Sequence, residues 1–279
     1  FDLVMGNRFL GGISKGAMPF MHRFVGNPML SALGRRIYDH SVCGDFYCGL
    51  RGFRKDAIQK LNIQSTGMEF ALEMIIKAAL NELKITEVPT TLSPDGRDRK
   101  PHLNTYRDGW RSLRLYLLMS PRWTFGIPGL VLATLGLAAL AVSAFGHVPS
   151  AWFGAAHVFS TTATVLGYQG ILLAVFAKFI AIESGLHPPA TAFRMLQHRG
   201  TLERFVIAGF LIAFACAGIA VAARIWHGSP GDRAFSGQIQ AFLEIGLIGG
   251  GQTVLAGFYF GFLYFLHERR MFPRKRRGD

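Results

Sequence analysis

Asp45 and Arg51 stand at the two ends of Asp45-Phe46-Tyr47-Cys48-Gly49-Leu50-Arg51, with Gly49 between them. That spacing can bring an acid and a guanidinium to one turn. There the carboxylate accepts a proton or orients an acceptor, and the guanidinium grips a phosphate or the acid itself. The ordinary meaning of such spacing is a structural Asp45–Arg51 ion pair. Upstream, Gly6 to Pro28 carries five glycines, two prolines and the spaced cations Arg8, Lys15 and Arg23. This composition predicts a mobile loop in which glycine permits close backbone approach and arginine offers a bidentate fork to phosphate oxygens. A solvated surface loop would share it. Downstream, Asp95-Gly96-Arg97-Asp98-Arg99-Lys100-Pro101-His102 is either another solvated loop or, near a membrane, a segment closing over a pyrophosphate.

Other combinations point away from chemistry. Glu69 and Glu73 lie one helical turn apart, which suits a metal or acid/base pair, yet Glu73 with Lys77 is equally an ordinary helix ion pair. No histidine stands at metal-ligand spacing, so no metal site is expected from this chain alone. Cys43 and Cys48 have no second cysteine pair nearby, which argues against zinc, and Cys216 sits in an apolar run. Gly11-Gly12-Ile13 is no dinucleotide fingerprint, and no phosphate-binding P-loop occurs.

The elements that must position these residues alternate strand and helix. Phe1–Met5 and Ile85–Val88 read as short buried strands. Pro28–Tyr38 and Gly67–Leu83 have helical spacing, the second with an apolar face of Met68, Leu72, Ile75, Ile76 and Ala79. Trp110–Trp123 is amphipathic, basic and aromatic at both ends, so it suits a helix lying on a bilayer or one packed on the polar region.

Composition places this polar region beside a membrane. The chain is 50% hydrophobic and 17% charged, whereas soluble domains carry roughly 25% charged residues. Four runs reach the roughly 20 apolar residues that a spanning helix needs: 126–146, 159–182, 205–223 and 245–266. Lys178 is the one Lys, Arg, Asp or Glu inside them, near an end where it can reach the interface. The 147–158 loop has no Lys or Arg. The 183–204 loop and the 267–279 tail are basic, so the polar region, middle loop and tail are expected on the cytoplasmic side. Gly257 and Gly261 suit close helix packing, and the glycine-rich spans leave room for a homo-oligomer. Topology therefore accounts for the net charge of +13, and no motif points to nucleic acid.

Taken in order, DLVMGNR, DFYCGLRGFRKDAI, GMEFALEMIIKA and ITEVPTTLSPDGRDRKPHL resemble the family 2 glycosyltransferases that make polyprenyl-phosphate hexoses, similar to dolichol-phosphate mannose and glucose synthases. The resemblance covers about residues 1–125. It implies an α/β, Rossmann-like GT-A catalytic domain, of which residues 1–109 would be the C-terminal part. A juxtamembrane helix would follow at 110–125, then an all-α four-helix transmembrane bundle at 126–266 and a basic cytoplasmic tail at 267–279. It implies inverting transfer of a hexose from a nucleotide-diphosphate sugar to a polyprenyl phosphate at the inner or plasma membrane. By resemblance Asp45 would lie at the reacting centre, Arg8 and Arg23 would bind acceptor phosphate, Arg97 would contact donor diphosphate, and Arg51 would support the Asp45 turn. The family's Asp-x-Asp motif, which would hold Mg or Mn, is missing from this chain. A C-terminal fragment, inactive by itself, is therefore expected. The competing reading is a transporter or flippase subunit for lipid-linked sugar with a regulatory cytoplasmic region. Clustered intramembrane charges, which would favour that reading, are missing from the runs.

Overall fold

The computed structural model describes residues 1–38, 43–94, 96, 105–145, 150–194, 200–227 and 233–271. The chain divides into two compact units, one of residues 1–120 with Ala181–Pro188, the other of Pro121–Ile180 with Pro189–Asp279.

The first unit is built on a small mixed sheet. Strand β1 (Leu3–Asn7) lies in the middle, antiparallel to β2 (Arg51–Phe53) and parallel to β3 (Ile85–Pro89). The apolar residues Leu3 and Met5, at alternate positions of β1, are completely buried, as period-two patterning requires. Strand β2 was not expected. Three residues with glycine in the middle carry no alternation, and pairing with Leu3, Val4 and Met5 makes this segment extended.

Helices cover the sheet. Short helix α1 (Arg8–Gly11) follows β1 directly, and α2 spans Asn27–Tyr38, α3 Lys55–Lys60, α4 Met68–Leu80 and α5 Thr105–Leu118. Helix α4 stops three residues short of the expected Leu83, where Glu82 takes a left-handed backbone conformation at φ 54°. Leu72, Met74, Ile75, Ile76 and Ala78 are its buried residues in the core, joined there by Phe46, Tyr116 and Met119. Gly34 of α2 makes room for two of these rings. A Cβ there would lie 2.7 Å from the Phe46 ring and 2.9 Å from the Tyr116 hydroxyl. Helix α5 packs on the polar unit through Tyr116, whose ring meets Phe46 edge-on and whose carbonyl accepts from the Tyr38 hydroxyl at 2.8 Å. Trp110 on α5 is exposed. The expected single helix to Trp123 instead ends at Leu118, and a separate π-helical turn begins at Arg122. His187 Nε2 lies 2.9 Å from the Met119 carbonyl at the α5 end.

The Gly6–Pro28 loop has more structure than expected. Asn7 caps α1, its Oδ1 accepting from the amides of Phe9 and Leu10 at 2.9 and 3.1 Å. Ile13 bridges to Leu92, and Met21–Gly26 forms a π-helical turn running into α2. The same device recurs at Arg122–Gly126. Each π turn closes with the amide of the residue before a proline, Asn27-Pro28 or Ile127-Pro128, bonding five residues back. A proline has no N–H and its ring collides with the carbonyl four residues earlier, and a widened turn relieves that collision.

The second unit holds four long apolar helices, α6 (Ile127–Phe145), α7 (Ser150–Glu183), α9 (Thr201–His227) and α10 (Arg233–Met271), with short α8 (Thr191–Arg194) between α7 and α9. Segments Arg122–Ser143, Gly154–Glu183, Thr201–Ala222 and Leu243–Phe265 are long and apolar enough to cross a membrane. The helices exceed the expected runs, and helix takes up part of the expected 147–158 loop. Glycines lie where backbones touch. A Cβ at Gly167 of α7 would sit 2.3 Å from Ala133 N of α6, and one at Gly250 of α10 2.6 Å from the Gly209 carbonyl of α9. Gly257 and Gly261 face Phe205 and Leu202 of α9, so this pair packs within the chain.

Candidate functional site

Asp45 is the hub of a polar cluster at the C-terminal end of β1. It is completely buried and accepts four bonds: from Arg8 N at 3.2 Å, Arg8 Nε at 2.7 Å, Arg8 Nη2 at 2.9 Å and Tyr47 N at 3.2 Å. The Arg8–Asp45 contact is a bidentate fork, the geometry that makes such pairs strong and directional. The ion pair expected between Asp45 and Arg51 does not form. Residue 8 leaves β1 at the start of α1 with its side chain and amide both directed at the acid, so sheet topology supplies a partner 37 residues distant.

Arg51 is bound to carbonyls instead. Its Nε donates to Cys48 O at 3.0 Å, its Nη2 to Phe46 O at 3.0 Å, and its Nη1 to Ala71 O of α4. Burial lowers its pKa from the ordinary value, while nearby acidic groups oppose that shift. For Arg8, burial also works against the charge, but the hydrogen bonds and charge of Asp45 outweigh it and raise the pKa.

Three residues that motif spacing did not single out complete the bracket. Glu87 of β3 accepts from Gly44 N at 2.7 Å and from Asn7 Nδ2 at 2.9 Å, so one carboxylate oxygen fixes both sides of the Arg8–Asp45 pair. Arg35 of α2 donates to the carbonyls of Cys43 and Gly44 at 3.5 and 3.3 Å, and Phe46 N donates to Ser31 Oγ at 3.2 Å. Gly44 fits here because it has no side chain: a Cβ would stand 2.6 Å from Asn7 Nδ2. The signal for Glu87 was its place two residues before Pro89, near the end of a strand parallel to the one that ends at Asn7 and leads into Arg8.

The remaining expected site residues fall elsewhere. Arg23 lies in the π turn with its guanidinium 5.3 Å from the Phe24 ring centroid, and no hydrogen bond or ion pair joins it to Asp45 or Arg8 among the described residues. Arg97 lies outside the described residues. Glu73 and Lys77 form a fully buried pair at 2.8 Å. Glu73 also accepts from Gln64 N and Ser65 N at 3.2 and 2.7 Å, and Lys77 donates to Asn62 O at 2.8 Å, so the pair ties the 62–65 segment to α4. Burial alone would raise the Glu73 pKa; Lys77, Ser65 and Gln64 together hold it below the ordinary value. Glu69 instead approaches Arg111 of α5 at 3.9 Å. Cys43 and Cys48 are buried free thiols, and burial pushes Cys43 up to about 12.

This geometry sets a buried carboxylate against one guanidinium and braces its turn with two more. The Arg8 side chain remains 15% exposed, and its Nη1 makes no bond among the described residues. That edge can accept an anion from outside while Asp45 holds the fork in place. Asp45 has all its donors supplied by the protein, which suits a positioning carboxylate better than a base. Among the described residues no group of three or more His, Cys, Asp and Glu could hold a metal ion.

The chain is similar to two curated proteins of Haloferax volcanii. It is 35% identical over 217 residues to the low-salt glycan biosynthesis hexosyltransferase Agl6, covering 76% of this chain and 51% of that protein. It is 30% identical over 187 residues to the glycosyltransferase AglJ, covering 64% of this chain and 60% of that protein. The chain thus spans about half the length of the first and 60% of the second. No family model matches the sequence. No solved structure matches either.

Proposed function

We propose that this chain is the acceptor-side part of a membrane-attached, inverting glycosyltransferase. It would move a hexose from a nucleotide-diphosphate sugar to a polyprenyl phosphate in glycan or cell-envelope assembly. The observation that carries the reading is the buried Arg8–Asp45 fork, found in one chain with four membrane-length helices. The two relatives named as glycosyltransferases support it.

In this proposal the acceptor phosphate docks against the open edge of Arg8. Near neutral pH it is already ionised, so its oxygen attacks the anomeric carbon without prior loss of a proton. The new carbon–oxygen bond forms as the bond to the donor diphosphate breaks on the opposite face, and the nucleoside diphosphate leaves with that electron pair. The protein's contribution is positioning and charge stabilisation by fixed groups. Asp45 aims Arg8, and Arg35, Arg51 and Glu87 keep the Asp45 turn from relaxing. Arg23 and Arg97 remain proposed phosphate ligands, Arg23 for the acceptor and Arg97 for the donor.

The GT-A fold, the donor pocket and a Mg or Mn ion belong to the same proposal. Asp45 and Glu73 do not fit a metal, because N–H donors fill their oxygens, so neither is assigned as its ligand. The catalytic region, middle loop and tail are assigned to the cytoplasmic face of the inner or plasma membrane. The test is a transfer assay in membranes that carry the complete enzyme, with radiolabelled nucleotide sugars and either polyprenyl phosphate or dephosphorylated polyprenol as acceptor. Label should enter the lipid fraction with the phosphate alone. Equal labelling of the dephosphorylated lipid would refute the phosphate-acceptor reading.

A further inference from the structure

The π turn Met21–Gly26 and the start of α2 present an exposed apolar face. Phe20, Met21, Phe24, Val25 and Met29 are between 40% and 70% exposed. They recur at helical spacing on one side, while Asn27, Leu30, Ser31 and Gly34 on the opposite side are buried. The widened π turn lets Phe20 and Phe24 stand together on the outer side, their ring centroids 4.9 Å apart, with the Arg23 guanidinium over the Phe24 ring. A contiguous exposed face of large aromatic and aliphatic side chains marks an interaction surface.

Charge indicates what occupies it. From Leu3 to Tyr38 the chain has no Asp or Glu and carries Arg8, Lys15, Arg23, Arg35 and Arg36. Aromatic side chains with arginine and no acid are the composition of surfaces that seat in a bilayer interface, apolar groups among the acyl chains and cations among the lipid phosphates. The first unit is covalently continuous with four membrane-length helices, which hold a bilayer within its reach. We infer that the Phe20–Met29 face is a membrane-inserting wedge, with Phe20, Phe24 and Met29 among acyl chains and Arg23 at the level of the lipid phosphates. The inference rests on the proposed membrane attachment and not on the transfer chemistry.

The wedge lies between the two arms of the candidate site, following α1, which carries Arg8, and running into α2, which carries Ser31 and Arg35. Seating it in the interface would place the Arg8 edge near the depth at which a lipid phosphate lies, so that the acceptor need not leave the bilayer.

Photo-crosslinking tests this directly. Benzoylphenylalanine is placed singly at Phe20, Phe24, Phe53 or Phe214 in the full chain, reconstituted in vesicles of phosphatidylcholine and phosphatidylglycerol. Phe53 is an exposed residue of β2, and Phe214 is an exposed residue of α9. Positions 20, 24 and 214 should give phospholipid adducts severalfold above position 53. Adducts at 214 without adducts at 20 and 24 would overturn the wedge and leave membrane attachment standing. Crosslinks from 20 or 24 to a second copy of the chain, or equal lipid labelling at 53, would also overturn it. Lipid adducts missing at all four positions would overturn both the wedge and the attachment on which it rests.

Discussion

The Arg8–Asp45 fork sets the residue scale. A buried pair costs desolvation to assemble, and removing one partner leaves the other charge uncompensated. Asp45→Asn is therefore expected to lower unfolding stability by about 3 kcal/mol, measured by denaturant titration. Adding Arg8→Gln to that variant should lose less than the sum of the two single changes, because the second substitution removes the stranded guanidinium. Additive losses would show that the two side chains do not interact. Glu73 makes a pH prediction. Its folded carboxyl lies below the ordinary value of 4.5, so its stabilisation is fully present above that value and disappears as pH falls through the folded pKa. Wild-type stability should fall more steeply than that of Glu73→Gln as pH drops below about 4.5. Parallel pH curves would contradict the buried-pair account. Sequence spacing identified Asp45 and Arg8 as chemistry-bearing residues but joined Asp45 to the wrong arginine. Nearness in sequence favours Arg51, whereas a strand followed at once by a helix turn brings Arg8 to the acid.

At the scale of elements, long periodic segments were the most legible. The helical spacing of α2, the apolar face of α4, strands β1 and β3 and the four apolar helices all follow from local pattern. Strand β2 was not legible, because three residues around Gly52 have no period and become extended only on pairing with β1. The π turns were hidden for a different reason: a proline inside a helical run signals a break, while the structure instead widens the turn before it. The register of the long helices rests on small residues, and this separates two adjacent glycines sharply. Gly250 lies against the Gly209 backbone, whereas a Cβ at Gly249 would meet nothing within 4 Å. Gly250→Leu should lower the thermal unfolding midpoint in detergent by several degrees, through overpacking worth about 1–3 kcal/mol. Gly249→Leu should leave it near wild type. Equal effects from the two substitutions would exclude close α9–α10 contact at Gly250.

For the whole molecule, a braced arginine–carboxylate site and four membrane-length helices lie in one chain, the combination that the proposed function makes acceptor-side machinery for lipid glycosylation. The bracket from Glu87, Arg35 and Ser31 was the least legible part, because each is ordinary in sequence and gains meaning only when β3 and α2 converge on the Asp45 turn. In the proposed function the open edge of Arg8 binds the acceptor phosphate. Its most direct test is steady-state transfer by the complete enzyme in membranes, comparing wild type with Arg8→Gln over a range of polyprenyl phosphate and of nucleotide-sugar concentrations. Arg8→Gln should lose about a hundredfold or more in kcat/KM for the lipid acceptor, with nucleotide-sugar binding unchanged and the variant still folded. A folded Arg8→Gln enzyme that uses the acceptor as well as wild type would contradict it.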